Sequence, residues 1–427
     1  MDGMQGPRDW LDVVQKNSSP PIIKKGVKIA IIGKGTGGII AALYFSKWAP
    51  PFFPQGCTIE VYYDPDISAV HVGEGSQLSL PNVLWTLQNM TIKEAGETFN
   101  ASHKVGIQYN NWGNKGDYFH SFPGNNTAMH FSAKDFQEYW EKELAKQGVK
   151  FIPKKVKKHS DIDADFIMDA RGAPKLPHKD YESFEYSLCN SALVAQCPTE
   201  YPLYNYTIAE AMPNGWIFGI PLQNRISYGY IFNKEISDKS IIEEELKEFI
   251  NKKDLTHKPF NHIQFQSYHR KLNWPTWRTA YIGNASYFCE PLEATAIELQ
   301  CNISDKTLGI WTWYQHDNRK SMTQRNEANQ WYYKWCKEAE CIIMMHYCAY
   351  NKNYDTKFWT EARLRASACL TNNNDFQQMC REAFHYDRSM VQHLGLTKEQ
   401  FETQQARNFG GGWNLDSFRQ NIAGLGL

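Results

Sequence analysis

The chain has 427 residues, enough to bury a large core, and its 46 lysines and arginines balance its 46 aspartates and glutamates. A net charge of zero excludes recognition of nucleic acid or of a membrane surface by bulk charge. No apolar run reaches membrane-spanning length and the N-terminus carries no signal-peptide core, so neither a membrane span nor secretion is expected. The ten cysteines are scattered without a C-x-x-C pair, which reads as reduced thiols in a cytoplasmic protein with no metal site. With 14 Trp, 23 Tyr and 23 Phe, aromatic side chains must line the core, and a flat apolar ligand pocket would also use them.

Residues 1–22 are polar and end near Ser-Ser-Pro-Pro, so they are expected to form an N-terminal arm. An apolar, mostly β-branched run, Val27 and Ile29 to Ile32, has the length of a fully buried parallel strand. It ends in Gly33-Lys34-Gly35-Thr36-Gly37-Gly38, which spells G-x-G-x-x-G, and a helix-like run over 39–48 follows. Strand, glycine turn and helix are the context in which that pattern binds a dinucleotide. Gly33 permits the tight turn, Gly35 lets a pyrophosphate approach the backbone, and Gly38 brings helix against strand. The amides at the helix start then attract phosphate. Residues 58–63 form the second strand. At its end, where such folds often place a ribose-binding acid, stands Tyr63 with Asp64 beside it.

A second small-residue turn, HVGEGS at 71–76, leads into a helix over 80–87. Residues 104–112 (KVGIQYNNW) read as a strand running into polar turn residues. Ser132 and Asp135 have the spacing of a capping box. Phe136, Tyr139, Trp140 and Leu144 then recur at helical spacing until Gly148. Residues 149–152 begin a strand, and 165–172 (DFIMDARG) form an apolar strand ending in a glycine turn. Aromatic alternation over 185–233 predicts β-strands; a charged helix over 240–252 and a buried strand at 279–283 follow. From about residue 304 the pattern is mainly helical. The expected division is an arm (1–22), an α/β module with an inserted β-rich region (23–303) and a helical lobe (304–427).

At residues 215–221 (GWIFGIP) the sequence resembles the flavin-dependent halogenases of the tryptophan-halogenase family. These carry G-x-G-x-x-G near the N-terminus and W-x-W-x-I-P in mid-chain; here the second Trp is Phe218. HVGEGS at 71–76 resembles the family's G-V-G-E-A-T turn, 104–112 its lysine strand and 165–172 its second flavin strand. YFCEPLEATAI at 287–297 resembles F-L-E-P-L-E-S-T-G-I, and residues 346–359 and 422–427 fit the C-terminal region. The resemblance runs in order along most of the chain. It implies an α/β fold: an FAD-binding, Rossmann-like module of flavoprotein-monooxygenase type with a packed, mainly helical C-terminal lobe. It also implies a reaction in which reduced FAD, oxygen and a halide (chloride, bromide or iodide) give hypohalous acid. That electrophile travels through an internal tunnel to an aromatic substrate.

The resemblance gives the residues roles. Lys104 matches the essential lysine, whose amine hydrogen-bonds hypohalous acid or, once deprotonated, forms a haloamine; taken alone it reads as a surface lysine at a strand start. Glu293 matches the catalytic glutamate, which stabilises the ring cation and accepts its proton. The alternatives there are a helix N-terminal glutamate after Pro291, or Glu290 as the working carboxylate. Thr295 and Ala296 would hold the halide, with Ala296 standing where the family has Gly. Gly33, Gly35, Thr36, Gly38, Glu74 and Gly283 would hold FAD, and Ile297 would press on the flavin. Trp216, Phe218 and Pro221 would line the tunnel and keep substrate from the flavin, or simply pack the core.

Asn408-Phe409-Gly410-Gly411-Gly412-Trp413-Asn414 stands where the family clamps the amino-acid group of tryptophan. Three glycines offer no clamping side chains and favour mobility, so an open site for indoles, phenols or other electron-rich arenes is expected. With one dinucleotide fingerprint, a separate flavin reductase is the expected partner, and a homo-oligomer stays open. Two other readings remain. An FAD-dependent aromatic hydroxylase or monooxygenase would need neither Lys104, Glu293 nor the 215–221 motif. A catalytically inactive flavin-binding subunit would account for Tyr63, Phe218 and Ala296.

Overall fold

A computed structural model describes residues 26–67, 73–122, 126–385 and 409–427. The expected arm at 1–22, together with His71, Val72 and Asn408, lies outside them. The chain opens with β1 (Val27–Ile32), α1 (Thr36–Trp48) and β2 (Cys57–Tyr63). It continues through β3 (Gly73–Gly75), α2 (Ser79–Gln88), α3 (Ile92–Phe99), β4 (Ser102–Lys104), β5 (Gly106–Trp112), β6 (Gly116–Ser121) and β7 (Ala128–Ser132). Next come α4 (Ala133–Lys146), β8 (Lys150–Pro153), β9 (Phe166–Asp169), β10 (Tyr181–Ser183), β11 (Ser191–Pro198), β12 (Thr207–Met212), β13 (Gly215–Pro221) and β14 (Arg225–Phe232). After α5 (Lys239–Asn251) come β15 (Asn261–Gln264), β16 (Tyr268–Arg270), β17 (Thr279–Tyr281) and β18 (Tyr287–Phe288). Helices α6 (Thr295–His316), α7 (Asn318–Cys348), α8 (Lys357–Thr371), α9 (Asn374–His385) and α10 (Leu415–Leu425) complete the described chain.

A five-stranded parallel sheet in the order β17-β9-β1-β2-β8 forms the nucleotide-binding layer. Apart from Lys28, its central strand is apolar, because both faces are covered. Ile29 and Ile31 enter the main core with α1 and α6, while Ala30 and Ile32 pack with Tyr62, Val156 and Ile162 on the other side. The chain leaves β1 toward β2 on one side, and β9 pairs on the other. The C-terminal end of β1 is therefore the switch point at which such sheets bind ligands.

The β-rich region forms a seven-stranded sheet, β15-β11-β14-β13-β12-β5-β6, antiparallel except where β12 meets β5. It too separates two cores. Trp216, Phe218 and Ile220 face the main one. Ile217, Tyr228 and Tyr230 face a second, closed by Ile242, Leu246 and Ile250 of α5, which recur every fourth residue as one helical stripe. Period-two alternation thus sorts side chains between two apolar layers rather than between core and solvent. Smaller antiparallel sheets, β3-β7-β4 and β10-β16-β18, flank these layers.

The expected strand over 104–112 is two strands. Lys104 ends β4, paired with β7 in the small sheet, and Gly106 opens β5 in the large one. A side chain at position 106 would collide with the His120 carbonyl at 2.4 Å, so the break falls where only glycine fits. Ser132 caps α4 by accepting from the Asp135 amide, but the Asp135 carboxylate accepts from Asn100 instead of closing a capping box. Helix α6 begins at Thr295 and runs unbroken across position 304. Among the described residues no helix is long and apolar enough to cross a membrane.

The Phe218 ring lies where a side chain at Gly229 would stand, 2.2 Å from the position of its Cβ. Gly229→Ala should therefore lower stability by about 1–3 kcal/mol through overpacking, read as a lower urea midpoint at unchanged slope.

Candidate active site

At the end of β1, Gly33 has φ +112° and a Cβ there would lie 2.4 Å from the Ala170 carbonyl oxygen. A Cβ on Gly38 would lie 2.0 Å from the Gly33 oxygen. Gly35 differs, because nothing stands within 4 Å of its Cβ position. It is the N-cap of α1 and provides no side-chain cap. The first intrahelical donor is the Ile39 amide, 3.0 Å from the Gly35 oxygen. The amides of Thr36, Gly37 and Gly38 therefore precede the hydrogen-bonded ladder beside an open approach. This cradle fits a pyrophosphate, as an FAD would present.

Thr36 Oγ1 donates to Glu74 Oε1 at 3.1 Å. Burial pushes the Glu74 carboxyl up to about 7, against the opposing effect of that hydrogen bond. Gly283, at φ +62°, has its Cα 3.0 Å from a Cβ position on Gly37. Ile297 is buried in the first turn of α6. At the end of β2, Tyr63 has the Lys34 ammonium 4.0 Å over its ring, and Asp64 is paired with Lys155 at 2.7 Å.

Lys104 is 1 % exposed. Its Nζ donates to the Ser76 carbonyl at 3.1 Å and lies 5.3 Å over the Phe122 ring. A methyl group on Gly75 would sit 3.6 Å from both Lys104 Nζ and Ala294 Cβ, so the amine and the approach to α6 flank that glycine. Burial lowers the ammonium pKa to about 8, and the negative charge of Glu293 opposes the fall.

Glu293 sits in a 3-10 turn, 292–294, just before α6, with φ +69°, and Ala294 follows at +52°. Left-handed residues other than glycine cost about 1–3 kcal/mol each and persist only where surroundings impose them. Here the Gln77 amide donates to the Glu293 carbonyl at 2.8 Å. The carboxylate, 2 % exposed, is ringed by donors. Tyr109 donates its hydroxyl to Oε1, and Trp413 Nε1 donates to Oε2 at 2.9 Å. His120 Nδ1 and His346 Nε2 each lie 3.3 Å from Oε1. Burial alone would raise the Glu293 pKa, but the charge and hydrogen bonding of His120, joined by those of His346 when its Nε2 is protonated, hold it well below the usual carboxylate range.

Glu290 is equally buried, but its environment differs. It accepts from the Tyr347 hydroxyl at 2.6 Å, and burial pushes its carboxyl up to about 7. The two carboxyls three residues apart are thus driven in opposite directions, and the ionised one is Glu293.

Helix α6 starts with Ala294 as an N-cap that lacks a side-chain cap, leaving the amides of Thr295 and Ala296 at its positive end. Thr295 Oγ1 lies 3.0 Å from the Tyr287 hydroxyl, and Ala296 is half-buried against the main core. Trp216, Phe218 and Pro221 are all buried along β13. Trp216 meets Trp112 at 6.2 Å, and Trp112 meets His346 at 6.0 Å, so an aromatic chain joins the motif at 215–221 to Glu293. Pro221 accepts through its carbonyl from Ser102 at 2.6 Å.

Two expectations need correction. Pro291 caps only the short 3-10 turn that holds Glu293 and not a longer helix; the left-handed pair 293–294 intervenes, and α6 begins at Thr295. Gly410, Gly411 and Gly412 are not a mobile opening. Gly410 donates its amide to Glu338 at 2.9 Å. Side chains at the three positions would stand 2.4 Å from Glu338, 2.3 Å from Ile342 and 2.1 Å from Gln77. The glycines are required by close packing, and that packing carries Trp413 to Glu293. Tyr109, His120, His346 and Trp413 were not singled out from sequence as members of this site. Each lies within or beside a stretch noted there, but its partner is 53 to 184 residues away.

Fold and site together define a dinucleotide-binding enzyme built around an ionised carboxylate and a buried amine. The chain matches the tryptophan halogenase family over residues 28–158 and 154–426. It belongs to that family, the flavin-dependent halogenases, enzymes that use reduced FAD and a halide to halogenate aromatic compounds. They draw reduced flavin from a separate reductase and act on small aromatic substrates. A tryptophan 7-halogenase of Lentzea aerocolonigenes is 24% identical over 508 aligned positions, covering 94% of this chain and 89% of that protein. A tryptophan 6-halogenase of Streptomyces toxytricini is 26% identical over 272 positions, 56% of this chain and 49% of its own length. The solved structure of a flavin-dependent halogenase from Xanthomonas campestris superimposes with a TM-score of 0.72 at 20% identity, covering 94% of this chain and 89% of that one.

Gly35→Ala should leave unfolding without flavin unchanged and weaken FAD binding, because its methyl group enters the open cradle. Gly38→Ala should destabilise the chain itself. Thermal unfolding and FAD fluorescence titration separate the two effects. Lys104→Met should also change the pH dependence of stability. The fall from 10.5 to about 8 is an order-of-magnitude penalty of about 3 kcal/mol, fully present below pH 8. Between pH 8 and 10.5 the unfolded chain holds more protons than the folded one, so stability rises with pH. The Met variant should be the more stable at pH 7, and its advantage in urea titrations should shrink as pH rises through that window.

Proposed function

We propose that this halogenase acts on electron-rich arenes such as indoles and phenols, without restriction to free tryptophan, using chloride, bromide or iodide. The observation that carries the reading is the shared dry enclosure of Lys104 and Glu293 at the start of α6. Gly33, Gly35, Thr36, Gly38, Glu74 and Gly283 would hold FAD, and Ile297 would pack on it. Bound in reduced form, the cofactor supplies hypohalous acid from oxygen and halide. Thr295 and Ala296 offer the halide their amides in a site from which water is excluded. Trp216, Phe218 and Pro221 wall the path between flavin and arene.

Lys104, desolvated to near-neutral titration, donates a hydrogen bond to hypohalous acid or, as the free amine, accepts the halogen on nitrogen. Glu293 keeps its charge where the ring becomes cationic, and low dielectric strengthens that attraction. It then takes the ring proton. The breadth of substrate rests on the 410–412 segment. Its glycines present no charged side chain, and the neighbouring Glu338 is engaged by the Gly410 amide and Lys334. Ten cysteines in free form support a cytoplasmic location.

Purified chain with FAD, NADH, a flavin reductase, each halide and a panel of indole, phenol and tryptophan should give halogenated masses only when halide is present. Lys104→Ala and Glu293→Gln should each lower product at least about 100-fold, with retained FAD binding showing that the site is intact. Undiminished turnover in either variant removes that residue from its role. Hydroxylated product without halide favours the monooxygenase reading, and turnover of tryptophan alone overturns the breadth.

A further inference from the structure

The Glu293 carboxylate is a well-solvated anion inside a dry protein. Tyr109 and Trp413 donate to it directly, and His120 Nδ1 faces it at 3.3 Å. Donors that stabilise the charged form weaken it as a base. A carboxylate so placed suits a cationic ring but would hold the ring proton poorly.

His346 meets this difficulty. Its imidazole is fully buried in α7. Nδ1 lies 2.8 Å from the Ile342 carbonyl oxygen. A carbonyl only accepts, so Nδ1 carries a proton and the neutral ring has its lone pair on Nε2. Nε2 faces Glu293 Oε1 at 3.3 Å and has no aligned hydrogen-bond partner. The ring is fixed by stacking on Tyr109 at 4.8 Å and by edge contacts with Trp413 at 5.6 Å and Trp112 at 6.0 Å. His120 differs, because its Nδ1 is aligned in a hydrogen bond with the carboxylate, which only accepts, so that nitrogen already carries a proton. The other ionisable groups about the carboxylate are the Tyr109 and Tyr118 hydroxyls and the Lys104 ammonium.

We propose that His346 completes the deprotonation step by taking from Glu293, through Nε2, the proton that the arene loses. This rests on the role of Glu293 given above. As the C–H bond of the halogenated ring cation breaks, its electron pair restores the aromatic ring and the proton goes to the carboxylate. It passes from the carboxyl oxygen to Nε2, leaving an imidazolium whose N–H faces a carboxylate again. The hydroxide left by hypohalous acid finally takes the proton and departs as water, so the sum is X–OH + Ar–H → Ar–X + H₂O. His346 acts through Glu293, as a positioning residue that keeps Glu293 ready to accept.

The test uses the whole chain with FAD, reductase, NADH and bromide, and compares the rates for indole and ring-deuterated indole in separate reactions, with brominated product followed by mass spectrometry. The parent enzyme should brominate both at the same rate, because proton loss follows attack quickly. His346→Gln retains a side-chain amide but no proton-accepting nitrogen. It should lower kcat about 100-fold with little change in KM for indole, and should brominate the light isotopologue faster. His346→Asn should behave alike. Turnover close to the parent's, or a loss of kcat with no isotope effect on the rate, overturns the relay. Failure of both variants to fold also overturns it, in favour of a packing role. Absence of brominated indole from the parent enzyme would fault the substrate assignment instead, so the two failures are distinguishable.

Discussion

The rest of the site depends on one constraint, a carboxylate kept charged where water is excluded. An ion taken from water into a protein interior costs several kcal/mol unless donors replace its hydration. Glu293 is met by groups from four separate parts of the chain: Tyr109 on β5, His120 on β6 and Trp413 after the glycine segment, with His346 on α7 joining them whenever its Nε2 carries a proton. Each donor must be held by its own packing, which explains the stacking of Tyr109 on Tyr118 at 4.7 Å and on His346 at 4.8 Å. It also accounts for the left-handed backbone at 293–294. That strain aims the carboxylate into the ring of donors, and the donors in turn hold the strained turn in place.

Helix α6 ties this site to the nucleotide layer. Its N-terminus follows Glu293, its first turn contains Thr295, Ala296 and Ile297, and Gln300 one turn later comes within 3.2 Å of a Cβ position on Gly37. A single rigid element therefore sets the spacing between the dinucleotide cradle and the ionised carboxylate. Under the proposed function, rigid support of this kind fixes the distance an electrophile would cover between the two centres, since effective positioning tolerates little error. The same close packing explains the glycines at 410–412. Removing side chains there does not loosen the segment but lets it approach α7 and the start of α6 closely enough to deliver Trp413.

Much of the nucleotide layer was legible in the sequence, because its signals are local. The apolar run of β1, the glycine turn and the helix behind it are contiguous, and sterics at Gly33 and Gly38 admit no other residue. The β-strands between 185 and 233 could be read from alternation, although alternation alone could not show that both faces of that sheet are apolar layers. Where two elements abut without a gap, local pattern failed. Lys104 and Gly106 read as one strand, yet they belong to different sheets, since the division is imposed by the His120 carbonyl, which is distant in sequence.

By itself the sequence determined the class of fold, the place of the dinucleotide cradle and the pairing of Lys104 with Glu293 as the residues to examine. These follow from short-range sterics, hydrophobic period and motifs in register. Only the tertiary structure decided which of two neighbouring glutamates is ionised, because that depends on the donors around each. Glu290 meets the Tyr347 hydroxyl, the Cys189 thiol and the Trp216 indole, yet burial drives it toward neutrality, whereas Glu293 meets hydroxyl, indole and imidazole groups drawn from four parts of the chain. Only the tertiary structure, likewise, turned the glycine segment from an opening into a packed support, because a missing side chain means mobility in solvent and close approach in a core.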